Sequence, residues 1–193
     1  MRQRLVLLIE EWTMRVESSI YEIKGKELIL RNPEESDAER LLSYLKTTSR
    51  ETHYLIREPE EITLTLEEEK EFIKGQNNSE HKLLLIGMLN GKHVGNCSLM
   101  RMDLKRYQHR AVMAIALYQK YTGLGIGRIM IEKMLSIAKT QGIEQIELEV
   151  AASNQKAVAL YKKLGFETFG TFPDNMKYKD GTYEAAHWMM KKL

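Results

Sequence analysis

Apolar positions alternate in some stretches of the chain and recur every three or four residues in others, and the change of period divides it into elements. KELILR at 26–31 reads as a short strand. NPEESDAERLLSYLKTT follows with a capping-type start and Ala38, Leu41, Leu42 and Leu45 at helical spacing. A second helix is predicted over 64–75, where Thr65 and Glu68 form a capping box; residues 51–62 between the helices read as a loop. Three strands come next, HKLLLIGML, GKHVGNCSLMRM and HRAVMAIALY, with Asn90-Gly91 marking a tight hairpin between the first two. The period then returns to helical: Ile129, Met130, Met134, Leu135 and Ala138 share a face before Gly142. IEQIELEV is a strand, NQKAVALYKKLG a helix, and FETFGTF and TYEAAHWMMKKL two strands around an Asp180-Gly181 turn.

The predicted order is β-α-α-β-β-β-α-β-α-β-β. The strand at 110–118, the helix at 124–141 and the strand at 143–150 form a right-handed βαβ unit with its strands parallel. The fold class is therefore mixed α/β, a mostly antiparallel sheet flanked by helices. No composition break divides residues 26–193, which are expected to form one domain, while residues 1–25 read as an N-terminal extension in which LVLLI adds an edge strand or a short helix.

Composition narrows the function classes. The 193 residues carry 29 Lys and Arg against 27 Asp and Glu, a formal charge of +2, with the basic residues dispersed among acidic ones. A duplex-tracking surface is not indicated and nucleic acid is not an expected partner. No apolar run approaches a membrane span, and the basic start precedes an apolar run too short for a secretory signal, so the expected address is the cytoplasm, without a membrane partner. Cys97 is the single cysteine; neither an intrachain disulfide nor a cysteine-based metal cage is expected, and no metal is assigned.

The chemistry concentrates at QKYTGLGIGRIMI, residues 119–131. Glycines at 123, 125 and 127 where a strand turns into a helix let the backbone approach a bound group and leave N–H groups pointing outward. With the helix dipole these donors make a site for a phosphate or pyrophosphate. A Walker loop is excluded because Arg128 and Ile129 follow Gly127. A dinucleotide fingerprint fails in both registers, which place Arg128 or Met130 where glycine or alanine is needed. Downstream, LEVAASNQKAVALYKKLGFE puts Tyr161 on the helix after the neighbouring strand, within reach of whatever the loop holds.

QKYTGLGIGRIM followed by LEVAASNQKAVALYKKLGFE resembles the GNAT N-acetyltransferase superfamily, which transfers an acyl group from acyl-coenzyme A to an amine. The resemblance covers residues 26–192. It implies a GNAT-type fold, in which one parallel strand pair splays, with acetyl-CoA as cosubstrate. Gly125 and Gly127 match the family's loop pattern, whereas Thr122 stands where the family has Gln or Arg. By position, the strand containing Ile115 and Leu117 would pair its free backbone groups with the pantetheine amides. N–H groups of the loop Thr122, Gly123, Leu124, Gly125, Ile126, Gly127 and Arg128 would hold the pyrophosphate. Asn154 would lie near the cofactor arm and Tyr161 near the sulfur.

Direct transfer needs a neutral amine and a proton for the leaving thiolate, and amines are mostly protonated at pH 7. Tyr161 is the candidate acid. For the base, alternation in IELEV puts Ile146, Leu148 and Val150 on one face and Glu147 and Glu149 on the other. Glu149 lies nearer the end where the fold opens, and LEV followed by SN resembles the branch that acetylates ribosomal-protein amino termini, where this glutamate is a base. His109 and an ordered water stand in reserve. Glu51, Glu58, Glu60 and Glu61 are placed to attract a cationic amine or to form a solvated face. The expected acceptor is a small-molecule amine or a peptide N-terminus, and a second copy of the chain is a further candidate partner. The alternative is an acyl-CoA-binding sensor or interaction protein without catalysis.

Overall fold

The computed structural model describes residues 13–193, so the LVLLI reading at 5–9 falls outside the described residues. Eight strands form one sheet in the order β1-β2-β3-β4-β5-β6-β8-β7. They are β1 (Ser19–Ile23), β2 (Lys26–Arg31), β3 (Lys82–Leu89), β4 (Lys92–Arg101), β5 (Arg110–Leu117), β6 (Gln145–Ala151), β7 (Glu167–Lys177) and β8 (Tyr183–Lys192). Every neighbouring pair is antiparallel except β5 and β6. The helices are α1 (Ala38–Glu51), α2 (Leu66–Asn77), α3 (Ile126–Thr140) and α4 (Gln155–Lys163).

Period-2 burial explains the layering. Leu85 and Cys97 point to the face covered by α3 and α4, where they join Met113, Met130, Met134, Leu148, Val158 and Phe166 in the main core. Ile86 and Met88 point to the other face and pack with Ala38 and Leu41 of α1 and Ile73 of α2. The expected parallel pair around α3 is β5 with β6, joined over Arg110–Val112 and Gln145–Glu147.

Three features depart from the sequence reading. Residues 19–23, placed in the extension, form β1 and pair with β2 across a turn at Lys24 and Gly25, both at positive φ. Alternation was hidden there because Ile20 faces solvent on this edge strand, so the apolar pattern is broken. The helix over 38–51 starts from a 3-10 turn, Glu35–Asp37, and Asp37 does not cap it in the usual way. Its buried carboxylate instead accepts from the backbone N–H of Glu34 and pairs with Arg31 and Arg40. Burial pushes the Asp37 pKa up, but these donors override it and hold the group below the ordinary carboxylate range. Finally, β7 runs five residues past the predicted 172, through a bulge containing Asp174 at positive φ.

Candidate active site

The parallel pair is short. Backbone partners join Arg110 to Gln145, Ala111 to Ile146 and Val112 to Glu147, and pairing then stops although both strands continue. The parting has a local cause in β4. A bulge at Val94 sits beside Gly95, and a Cβ on Gly95 would meet the Ala116 oxygen at 2.5 Å and the Leu117 Cα at 2.8 Å. Only a residue without a side chain lets β5 lean this far onto β4. The Tyr44 hydroxyl, reaching up from α1, donates to the Ala116 carbonyl at 2.9 Å and secures the displaced strand. Beyond Val112, β5 therefore faces β6 across an opening, and the backbone groups on that edge have no strand to pair with.

The glycine loop borders this opening. A 3-10 turn, Gln119–Tyr121, leads into it, and both the N–H and the hydroxyl of Thr122 bond the Gln119 carbonyl, at 3.1 and 2.8 Å. Thr122 thus closes the turn with its side chain. Gly123 and Gly125 stand at φ of 75° and 91°, with open space where a Cβ would be; Gly125 is the N-cap of α3. Among the described residues, the first bond of the helix is from Ile129 N–H to the Gly125 carbonyl. The N–H groups of residues 123–128 take no acceptor among the described residues. That run of free donors at the start of a fifteen-residue helix is what an anion site requires. Gly127 differs from the others: it lies inside the helix, buried, with Leu117, Leu160 and Ile115 side chains 3.5–4.0 Å from its Cβ position. Those contacts aim the Ile115 and Leu117 side chains at α3 and α4 and leave their backbone edge to the opening. The Arg128 guanidinium pairs with Glu132 one turn on.

Helix α4 contributes from the same side. Asn154 is its N-cap, and its Oδ1 accepts from the Ala157 N–H at 3.2 Å, while its Nδ2 takes no acceptor among the described residues. Tyr161, 7% exposed, packs edge-on against Phe166 with ring centroids 5.8 Å apart. No protein group bonds its hydroxyl among the described residues. Burial pushes its pKa up, with a smaller push from nearby Cys97, so the hydroxyl is a protonated donor at neutral pH. Burial likewise pushes the Cys97 thiol up to about 12, which removes it as a nucleophile.

The two glutamates of β6 share a face, as alternation predicts, yet have different surroundings. Glu147, buried, accepts from Arg110 Nε at 2.5 Å and Nη2 at 2.7 Å, and this ion pair holds its pKa below the ordinary range. Glu149 lies past the last parallel pair, exposed, and accepts from Asn175 Nδ2 at 2.7 Å. Asn175 was not singled out from the sequence, because the β7 bulge is what turns it onto Glu149. His109 lies at the opposite, paired end of the strands, where its carbonyl accepts from the N–H groups of Glu144 and Gln145. Ile115 is six positions further along, about 20 Å at 3.3 Å each, so His109 lies at the far end of β5 from the opening.

The acidic loop is also largely partnered. Glu51 Oε2 accepts from the Gln119 N–H at 2.7 Å, Glu58 lies 3.5 Å from Lys179 Nζ, Glu60 pairs with the same ammonium, and Glu61 bonds the Glu58 N–H. This run ties residues 51–62 to neighbouring elements and is not a free anionic surface.

With this geometry in view, the Acetyltransferase (GNAT) family model matches residues 34–166, more than half of the chain. The chain belongs to the GNAT acetyltransferase family. A solved GNAT-family acetyltransferase from Streptococcus pneumoniae is 30% identical with a TM-score of 0.81, covering 86% of this chain and 99% of that one. Among curated relatives, an L-amino acid N-acetyltransferase of Escherichia coli is 27% identical over 110 residues, 55% of this chain and 66% of that protein. A ribosomal-protein alanine N-acetyltransferase of Salmonella typhimurium is 40% identical over 52 residues, 27% of this chain and 35% of that protein. The chain thus spans two thirds or less of these curated relatives. The GNAT membership accounts for the mixed sheet with one parallel pair, and among the described residues no helix is long and apolar enough to cross a membrane.

Proposed function

We propose that the protein is an acetyl-CoA-dependent N-acetyltransferase acting on a primary amine, a small molecule or a peptide N-terminus, by direct attack in a ternary complex. The observation that carries this reading is the parting of β5 and β6 after Val112 and Glu147, directly beside the free N–H groups of residues 123–128. An extended arm with amide groups fits the unpaired edge of β5, and a pyrophosphate fits the loop donors, so the residues present suit coenzyme A. When bound, acetyl-CoA supplies an activated thioester carbonyl.

The chain's own groups do the rest. Glu149, on the face reached from α1 and α2, takes a proton from the acceptor ammonium, directly or through water, and Asn175 holds the carboxylate that receives it. Tyr161, approaching from the α4 side, gives its hydroxyl proton to the departing sulfur. Attack forms the C–N bond as the C–S bond breaks; nitrogen gives up two protons, one to Glu149 before attack and one to water as the amide forms, while sulfur takes one from Tyr161, which is reprotonated from water. The acceptor range follows the two named relatives, one acting on amino acids and one on a ribosomal-protein alanine.

The test is titration with acetyl-CoA alone and then with an amine library. Free coenzyme A released above the hydrolysis background only in the presence of an amine supports the enzyme. Saturable acetyl-CoA binding with no amine-dependent release identifies a sensor instead.

A further inference from the structure

The acceptor face carries a group of exposed rings that none of the roles above uses. Trp188 of β8 stands directly opposite Glu149 of β6 in the antiparallel register. Directly opposed side chains share a face with Cβ atoms about 4.5–5.5 Å apart. Phe172 stacks on Trp188 with centroids 6.2 Å apart and planes at 22°, and Phe169 meets it edge-on at 6.0 Å. The three rings are 42%, 57% and 50% exposed for Trp188, Phe172 and Phe169. Large apolar side chains clustered in water beside a functional carboxylate mark a binding surface. Going outward from the opening, the order is Glu149, Trp188, Phe172: first a carboxylate whose Oε2 takes no donor among the described residues, then an apolar shelf.

We infer that this shelf selects the acceptor, a small primary amine bearing an aryl or large alkyl group, with its ammonium at Glu149 and its substituent on Trp188 and Phe172. The inference rests on Glu149 facing the acceptor, as proposed above, and adds the class of amine. Charge and apolarity are matched in order: a cation next to the anion, a large apolar group on the rings, and the amine left at the edge of the opening. A small molecule is favoured over a polypeptide by the bridge beside the end of β6. There Lys179 at the β7–β8 hairpin tip pairs with Glu58 and Glu60, His53 packs on Tyr178 at 5.5 Å, and Glu184 accepts from the N–H and hydroxyl of Ser153.

The experiment compares kcat/KM for glycinamide, alaninamide, leucinamide and phenylalaninamide, with a phenylalanine-first tripeptide amide as a fifth arm. Wild-type protein and the W188A and F172S variants are used, with calorimetric acetyl-CoA affinity as the control for folding. The wild type is expected to prefer phenylalaninamide over glycinamide by about 10- to 100-fold, the effect of burying one large apolar side chain, and W188A to remove most of that ratio. F172S, changing a ring that is more than half exposed, is expected to reduce it in part. A flat wild-type series with measurable turnover overturns the shelf and leaves the acetyltransferase reading intact. No turnover with any amine, despite acetyl-CoA binding, overturns both. A tripeptide favoured more than tenfold over phenylalaninamide overturns the small acceptor. Unchanged amine preference in W188A together with a lower sedimentation coefficient identifies the rings as a contact between copies and overturns the inference.

Discussion

At the scale of residues, Tyr161 packs in the core on the α3–α4 face of the sheet and Glu149 lies on the opposite face, an arrangement that suits the donor and acceptor roles proposed for them. Tyr161→Phe removes a hydroxyl that no group among the described residues engages, so packing against Phe166 persists. The expected outcome is a fall in kcat of about 10²- to 10⁴-fold with acetyl-CoA affinity retained, read by steady-state kinetics beside calorimetry. Because burial raises the Tyr161 pKa, its hydroxyl stays protonated to beyond about pH 10, the ordinary tyrosine value. The pH profile of the wild type should therefore rise as the acceptor deprotonates, with no descending limb from Tyr161 below that pH. A limb near pH 8 would assign the donor elsewhere. The faces on which Tyr161 and Glu149 lie were legible in the sequence because helix position and strand alternation fix which way a side chain points. Asn175 was not, since its contact with Glu149 depends on where a bulge falls, and Trp188 was not, since its place opposite Glu149 depends on register across two strands.

At the scale of elements, two glycines make opposite predictions for the same substitution. Gly95→Ala drives a methyl into the Ala116 oxygen and the Leu117 backbone, neither of which can swing aside. It should cost about 1–3 kcal/mol as an overpacked contact, and it should weaken coenzyme A binding by pushing β5 back towards β6. Gly127→Ala places its methyl at ordinary contact distance from Leu117 and Leu160 within α3. It should leave stability unchanged or raise it by about 0.5–1 kcal/mol, the helix preference of alanine over glycine. Urea midpoints of both variants, with calorimetry of coenzyme A, check the pair; equal losses would break the account of the opening. The glycine loop could be read from the sequence because its donors are backbone groups that leave glycine as their trace. Gly95 could not, because its partner is the backbone of the next strand and nothing in HVGNCS marks a close approach.

At the scale of the whole molecule, two partly buried ion pairs contribute to the response to acid. Asp37, with Arg31 and Arg40, and Glu147, with Arg110, both titrate below their ordinary range in the folded state. The stability they contribute is therefore fully present above the unfolded values of about 4, and is lost as pH falls through the lower folded values. Arg110→Ala leaves the buried Glu147 carboxylate with Gln145 as its remaining side-chain donor and should cost about 1–3 kcal/mol at pH 7. In urea unfolding at pH 7, 5 and 3, the gap to wild type should shrink at pH 3, where Glu147 becomes neutral; a constant gap would assign the cost to lost packing of the Arg110 side chain. The element order was readable along most of the chain because its strands and helices have distinct periods. The edge strand β1 escaped because one of its faces meets water with an isoleucine on it. The parting of β5 from β6 carries a consequence for time as well as space. A backbone edge without a partner strand exchanges its amide hydrogens without any unfolding event, whereas the paired segments of β3 and β4 exchange only when the sheet opens. In hydrogen–deuterium exchange, the amides of 123–128 and the β6-facing half of those in 113–117, whose other half is held by β4, should label early in the free protein and slow when coenzyme A is added, while 82–101 stays slow in both. The seam of the sheet would thus be its fastest-exchanging interior segment until a ligand takes the place of the missing strand.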